Sequence, residues 1–163
     1  AGSCDRRSFL KVLGLAGAGL MAPSIVKSAA PVARILVVGG GFGGATAAKY
    51  LALWGEGLVS VTLVESNPAH VSCILSNLVV TGAIPMSDIT VGLGSLSSKY
   101  GITLVEGRAE AVDPFARTVD VSTAQGTARL PYDRLVVAPG IDFVAPAGTY
   151  DSTLTPHAWV AGP

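Results

Sequence analysis

The sequence predicts an α/β fold, in which a parallel β-sheet is built on a strand-helix-strand unit and carries a small antiparallel β insertion. Three observations support this prediction. Residues 35–65 read as an apolar strand, a glycine turn, a helix and a second strand that ends in an acid. Short β-branched segments follow between residues 111 and 130, and an apolar strand at residues 134–138 runs into a proline-glycine turn. Half of the 163 residues are hydrophobic, which is ample for a core.

The glycine turn after the first strand, Arg34–Val38, has the spacing G-x-G-x-x-G. Gly39 allows a sharp turn off the strand, Gly41 has no side chain to block a pyrophosphate, and Gly44 lets the helix pack close to the sheet. The helix, predicted from about residue 43 to residue 54, directs its free N–H groups and positive dipole end at the phosphates. The predicted cofactor contacts in this turn are Gly39, Gly41, Phe42, Gly43 and Gly44.

Glu65, at the end of the second strand, is predicted to accept the hydrogen bonds of an adenosine ribose and to disfavour a phosphate there. Glycine makes up 20 of the 163 residues, so the glycine spacing alone arises easily by chance. Its context strengthens it, because an apolar strand precedes the turn, an alanine-rich helix follows it and an acid ends the next strand. The alternatives are a glycine-rich turn without a ligand and a Glu65 that is only a solvated strand end.

The remaining elements are predicted in chain order from local patterns. Val59–Val64 alternates and is β-branched, as in a strand, and Ser66-Asn67-Pro68 ends it. We then expect a loop or short helix over residues 71–81, a helix over Ile89–Tyr100 before Gly101, and a buried strand over Ile102–Val105. The antiparallel strands are predicted at residues 111–113, 118–122 and 127–130, with a turn at residues 124–126.

The N-terminus predicts export. A twin-arginine signature at Asp5–Lys11 precedes an apolar stretch from Val12 to Ala22 and small residues near positions 28–30. The apolar stretch is well short of the roughly 20 residues that span a bilayer, so we interpret residues 1–30 as a signal peptide. Because the twin-arginine route carries folded proteins, it suits a periplasmic protein that takes up its cofactor in the cytoplasm. The alternative is an amphipathic first helix of the domain.

Residues 31–163 form the predicted domain and are mildly acidic, with seven Lys and Arg against ten Asp and Glu. They offer no basic patch, so nucleic-acid binding is unsupported. Cys4 would leave with the signal peptide, and Cys73 would then have no internal disulfide partner. Cys73 is therefore buried, bonded to something else or reactive. With one cysteine and two histidines in the domain, none at the spacing of metal ligands, no metal site is predicted.

Two segments resemble flavoproteins. Tyr132–Gly140 is an apolar strand whose closing turn, Pro139 and Gly140, can approach a ligand closely, although it could also be an ordinary strand and proline turn. It resembles the second signature of the glutathione-reductase-like class, whose first glycine motif binds FAD. Val71–Asn77, which contains Cys73, resembles the flavin-attachment segment of the flavoprotein subunit of flavocytochrome c sulfide dehydrogenase. Further segments that resemble this family are Gly43–Tyr50, Val137–Ile141 and Pro156–Gly162.

The resemblance implies a Rossmann-like FAD-binding domain in which Cys73 forms a thioether to the 8α carbon of the flavin. It also implies that Ser76 and Asn77 line the isoalloxazine and that Pro139 and Gly140 lie near the FAD. The function it implies is that of a periplasmic sulfide dehydrogenase, in which electrons pass from sulfide through FAD to the haem of a c-type cytochrome subunit.

Members of that family are much longer, and their redox disulfide, second nucleotide-binding domain and C-terminal interface domain do not occur in these 163 residues. We therefore expect an incomplete FAD domain and assign no catalytic residue. Two other functions stay open. One is a sulfide:quinone or NADH:quinone reductase, against which the export signal and Cys73 count. The other is a truncated, inactive fragment that binds a nucleotide weakly or not at all.

Both histidines have two interpretations. His70 lies three residues before Cys73 and, as imidazolium, could favour the thiolate that flavin attachment requires. It could equally be a structural residue. His157 could contact the flavin or the haem partner, although a histidine packed against Trp159 is the simpler interpretation.

Overall fold

The structure, a computed structural model, describes residues 31–141. Within them the strands are β1 Ala33–Val38, β2 Val59–Glu65, β3 Ala69–Val71, β4 Thr90–Gly92, β5 Thr103–Glu106, β6 Arg108–Asp113, β7 Thr118–Thr123, β8 Gly126–Pro131 and β9 Arg134–Val137. The α-helices are α1 Phe42–Trp54, α2 Ser76–Val80 and α3 Gly94–Tyr100. No helix in this part of the chain has the length and apolar character needed to cross a membrane. The predicted signal peptide, His157 and Trp159 lie outside the described residues.

Four strands form one parallel sheet in the order β5-β2-β1-β9. β1 lies at its centre, where Val37 pairs with Leu63 of β2 on one side and Val136 of β9 on the other. Because every pair in this sheet is parallel, the carboxyl ends of all four strands lie at one edge. A second sheet, β6-β7-β8, is antiparallel. The predicted α/β fold and its antiparallel insertion are confirmed.

Alternate side chains of β1 are buried on opposite faces of the parallel sheet. Val37 is fully buried in a cluster with Ala48 of α1 and Leu96 of α3. Leu36, its neighbour, is buried in a separate cluster with Val119 of β7 and Tyr132. Helices α1 and α3 therefore cover one face of the sheet, and the sheet β6-β7-β8 covers the other. This arrangement leaves the carboxyl edge as the place where loops from several strands meet.

The prediction of a helix over Ile89–Tyr100 is wrong for the first half of that segment. Residues 90–92 form β4, which pairs antiparallel with β3, and α3 begins only at Gly94. Thr90 and Val91 are β-branched and favour a strand once a partner is present, while Gly92 disfavours a helix. The short strand β3 was not predicted, because three residues carry no detectable alternation. The predicted short helix after residue 71 is α2.

An ion pair joins the starts of β1 and β9. Arg34 Nη2 donates to Oδ1 of Asp133 at 3.0 Å, and Arg34 Nε donates to Oδ2 at 3.1 Å. The backbone N–H of Arg34 donates to the same Oδ2 at 2.7 Å. The hydrogen bonds from the side chain and the backbone of Arg34 lower the pKa of Asp133 from 3.8 to about 2.

We expect this pair to make the stability of the fold sensitive to acid. Since the pKa of Asp133 is lower in the folded than in the unfolded chain, its contribution is present above about pH 4 and is lost as the pH falls towards 2. The melting temperatures of the parent and of Asp133→Asn should therefore differ at neutral pH and converge in acid. Thermal unfolding across this pH range measures the effect, with Asp88→Asn as an exposed control. A difference that stays constant down to about pH 2 would contradict the prediction.

Candidate dinucleotide-binding site

A groove of about 400 Å³ runs along the carboxyl edge of the parallel sheet. It brings together four residues that the sequence predicts to contact a cofactor, namely Gly39, Glu65, Pro139 and Gly140. Its wall is completed by residues that the sequence did not indicate, among them Ser66, Gly107, Arg108, Ala109 and Ile141. In open α/β sheets the crevice outside the carboxyl ends of the strands is where ligands bind.

Gly39 and Gly44 are required by the packing of the chain itself. Gly39 has a φ of 99°, in the left-handed region, and a Cβ there would collide with the carbonyl oxygen of Ala138. A Cβ on Gly44 would collide with the carbonyl oxygen of Gly39 and lie 3.4 Å from Cγ1 of Val37. One glycine therefore allows the sharp turn and the other allows the close approach of α1, as predicted. Their direct contact with a cofactor stays a prediction.

Gly41 has no such structural requirement. It is the N-cap of α1 with a φ of −70°, a conformation open to any residue. Among the described residues, a Cβ there would approach only the ring of His70, at 3.7 Å from Cε1 and 3.8 Å from Nδ1, which are ordinary contact distances. The space that Gly41 leaves open lies at the start of α1, where Phe42, Gly43 and Gly44 present N–H groups without partners in the helix. This end of a helix favours an anionic group.

The carboxylate of Glu65 is bonded to the glycine turn. Its Oε2 accepts the backbone N–H of Gly40 at 2.6 Å, while Oε1 accepts the backbone N–H of Asn67 and the hydroxyl of Ser66, both at 3.0 Å. Burial acts to raise the pKa of Glu65, but these hydrogen bonds outweigh it and hold the pKa below its usual value. Glu65 is therefore an ionised acceptor at the edge of the groove. The role of Gly40 was not predicted, because the glycine spacing assigns it none.

Glu65→Gln is expected to destabilise the fold by about 1–3 kcal/mol. Both carboxylate oxygens of Glu65 accept hydrogen bonds, whereas the NH₂ group of glutamine can only donate and would face a group that is also a donor. One of the N–H groups of Gly40 and Asn67 then loses its acceptor. Glu106→Gln is the matched control, because Glu106 is the register partner of Glu65 on β5 and is exposed. Denaturant unfolding of both variants measures the difference, and equal effects would contradict the assigned role of Glu65.

The turn after β5 is a part of the groove that sequence reasoning missed. The backbone N–H of Gly107 donates to the carbonyl oxygen of Glu65 at 2.9 Å. A Cβ on Gly107 would lie 2.6 Å from the carbonyl oxygen of Ser122, so glycine is needed where β5 passes into the antiparallel sheet. A usable signal was present, since Glu106 ends an apolar strand just as Glu65 does.

Cys73 lies away from this groove, in the turn between β3 and α2. It is a free cysteine of intermediate exposure. Its carbonyl oxygen accepts the hydroxyl of Ser76 at 2.7 Å, and Ser76 is 2% exposed. Ser76 therefore holds the turn that carries Cys73 and does not present its hydroxyl to a ligand, contrary to the expectation from resemblance. The flanking Ile74 and Leu75 are 61% and 53% exposed, so apolar surface lies beside the thiol.

The ring of His70 points to the glycine turn. It makes an edge contact with Phe42, with 4.8 Å between ring centroids and 74° between planes. Its predicted influence on the Cys73 thiol stays a prediction. Within residues 31–141, no three His, Cys, Asp or Glu side chains are grouped so that they could hold a metal ion.

Comparison with known proteins shows the family. Residues 33–151 match the family described as pyridine nucleotide-disulphide oxidoreductase. The chain is 34% identical to a type II NADH:quinone oxidoreductase of Mycobacterium tuberculosis over 109 residues. The matched stretch covers 66% of this chain and 22% of that protein. It is 56% identical to the sulfide dehydrogenase (flavocytochrome c) flavoprotein chain of Chlorobaculum thiosulfatiphilum over 46 residues. This stretch covers 28% of this chain and 94% of that sequence.

A solved structure agrees with these matches. The sulfide:quinone oxidoreductase of Aquifex aeolicus superimposes with a TM-score of 0.59 and 32% identity, over 68% of this chain and 25% of that one. The chain thus spans about a quarter of the length of the two longer relatives. The family and the flavoprotein homologue imply FAD as the cofactor. The chain therefore belongs to the pyridine nucleotide-disulphide oxidoreductase family and is homologous to the sulfide dehydrogenase flavoprotein chain.

Proposed function

We propose that this chain is the FAD-binding part of a periplasmic sulfide dehydrogenase that passes electrons from sulfide through flavin to a c-type cytochrome. The observation that carries the binding of FAD is the open space above Gly41. The packing of the chain accounts for Gly39 and Gly44, but a dinucleotide accounts for a glycine at position 41. The homology to a sulfide dehydrogenase flavoprotein chain supports the choice of reaction.

The first turn of α1 and the residues of the groove fit the diphosphate and the adenosine ribose of FAD. The first turn of α1, with Gly41, Phe42, Gly43 and Gly44, would hold the diphosphate through backbone N–H groups. The ionised Glu65 would accept the ribose hydroxyls, in addition to its bond from Gly40. Gly39, Pro139 and Gly140 line the groove with small or rigid residues, so the cofactor can lie close to the backbone.

Cys73 would hold the flavin through a thioether between Sγ and the 8α carbon, formed as the S–H bond and one C–H bond of the 8α methyl break and both hydrogens, with their electrons, pass to the flavin ring. Its thiol is free and accessible, and the exposed Ile74 and Leu75 beside it suit the apolar face of an isoalloxazine ring. The Ser76 hydroxyl fixes the carbonyl of Cys73, so the turn is ordered around the attachment point. When bound, FAD supplies the conversion of two-electron oxidation into one-electron transfer. A tether would keep the cofactor in the periplasm, where it cannot be replaced.

A quinone reductase is the second candidate. The type II NADH:quinone oxidoreductase and the sulfide:quinone oxidoreductase match longer stretches of this chain than the sulfide dehydrogenase flavoprotein chain does. The twin-arginine signature and Cys73 favour the sulfide dehydrogenase, because a membrane-associated reductase needs neither.

Acid precipitation of the purified protein separates the three possibilities. A yellow pellet, with a Cys73 peptide that carries the mass of FAD, supports the proposal. Free flavin in the supernatant supports the quinone reductase, and the absence of flavin supports an inactive fragment. Sulfide-dependent reduction of cytochrome c, compared with that of a soluble quinone, then tests the electron acceptor.

A further inference from the structure

His70 lies beside the open space at the start of α1. It belongs to β3, where it pairs with Val91 of β4, so its backbone is fixed by the small antiparallel sheet. Its ring is held by the edge contact with Phe42. Within residues 31–141, and apart from the neighbours of Gly41 and the backbone of α1, the atoms within 4 Å of a Cβ placed on Gly41 belong to His70 alone. Any group that fills this space is therefore in contact with the imidazole.

The two ring nitrogens of His70 have different surroundings. Nε2 is buried and has no hydrogen-bond partner in the described part of the chain. A buried Nε2 without a partner is unsatisfied in either neutral tautomer, as a donor or as an acceptor. Nδ1 lies 3.8 Å from the Cβ position of Gly41, beside the open space, where an anionic group would favour the tautomer with its proton on Nδ1. A half-turn of the ring would put Nε2 in place of Cε1, at 3.7 Å, so a nitrogen faces this space in either orientation.

We propose that His70 binds the diphosphate of the dinucleotide by donating a ring N–H to a phosphate oxygen above Gly41. The proposal rests on the binding of FAD proposed above. A phosphate oxygen there would accept from the helix N–H groups on one side and from His70 on the other. A packing residue needs only the ring, whereas a phosphate-binding residue needs the nitrogen, and this difference can be measured.

The test compares His70→Phe with the parent in the intact, FAD-loaded protein. Phenylalanine keeps a ring against Phe42 and removes both nitrogens. We expect one of the two ³¹P resonances of bound FAD to shift in His70→Phe and neither to shift in Val71→Thr, a control at the next, exposed position of β3. In a Cys73→Ser background, where FAD exchanges, the FAD dissociation constant should rise on the order of tenfold in His70→Phe.

Unchanged ³¹P resonances together with a dissociation constant within about twofold would overturn the role of His70 and leave FAD binding intact. A parent protein that takes up no FAD would instead overturn the proposed function. If His70→Phe does not fold, the ¹⁵N signals of the imidazole decide the question in the parent. The chain has two histidines, and His157→Asn assigns them. A change of the His70 nitrogen signals on loading with FAD supports the proposal, and unchanged signals overturn it.

Discussion

Cys73→Ala is expected to abolish the covalent retention of flavin completely, while the protein still folds. Cys73 is free and only partly buried, so the loss of its thiol removes little packing. The bond that orders the turn is made by the carbonyl oxygen of residue 73 with Ser76, and alanine keeps that carbonyl. The variant should release its FAD on acid precipitation, whereas the parent keeps it in the pellet. Absorption of the pellet and supernatant, followed by peptide mass spectrometry, measures the change.

Ser72→Ala is the matched control for Cys73→Ala. The Ser72 hydroxyl accepts the backbone N–H of Ile74 at 3.0 Å in the same turn, so the substitution disturbs the turn but keeps the thiol. Flavin should stay attached in this variant. Flavin that remains in the acid pellet of Cys73→Ala would place the linkage on another residue and contradict the proposed role of Cys73.

Gly44→Ala is expected to cause a large loss of stability. Its Cβ would collide with the carbonyl oxygen of Gly39, and neither backbone can move without separating α1 from β1. Overpacking of this kind costs about 1–3 kcal/mol or more. Gly43→Ala, one residue earlier in the same helical turn, adds a Cβ only 4.0 Å from that of Ala138, an ordinary contact. Alanine is the better helix residue by about 1 kcal/mol, so this control should be neutral or stabilising.

Thermal unfolding of the cofactor-free protein measures both effects of alanine in the turn. A lower melting temperature for Gly44→Ala together with an equal or higher one for Gly43→Ala is the expected pair of results. Equal losses would show that the turn tolerates no side chain for reasons other than the contact with Gly39. The melting temperatures of the same two variants, measured again with FAD bound, would then show whether either position also contacts the cofactor.

The sequence predicted those parts of the site in which the role of a residue is determined by its near neighbours in the chain. Gly39 and Gly44 follow from the local spacing, because a strand that turns directly into a helix brings the two backbones together. Glu65 follows from the end of β2. The bond from Gly40 to Glu65 could not be predicted, because it joins residues 25 apart and one glycine in a run of three looks like another.

The error over Ile89–Tyr100 has a related cause. Thr90–Gly92 becomes a strand only because β3 lies opposite, and neither strand has a pattern of its own. The role of Ser76 was also wrong, because the sequence reveals its type and place but not that its hydroxyl bonds to Cys73. At Thr90–Gly92 the partner strand decided the local structure, so tertiary context overrode the local preference.

The position of β9 beside β1 has a consequence for how the protein acquires its ligand. The two ends of the Arg34–Asp133 pair are 99 residues apart in the chain, and the strand that closes the sheet is the last of those described. Contacts of such long sequence separation are slow to form, because the entropy of closing the loop is lost first. Because Pro139 and Gly140, just after β9, line the groove, we expect a newly made chain to bind a nucleotide only after synthesis has passed this strand.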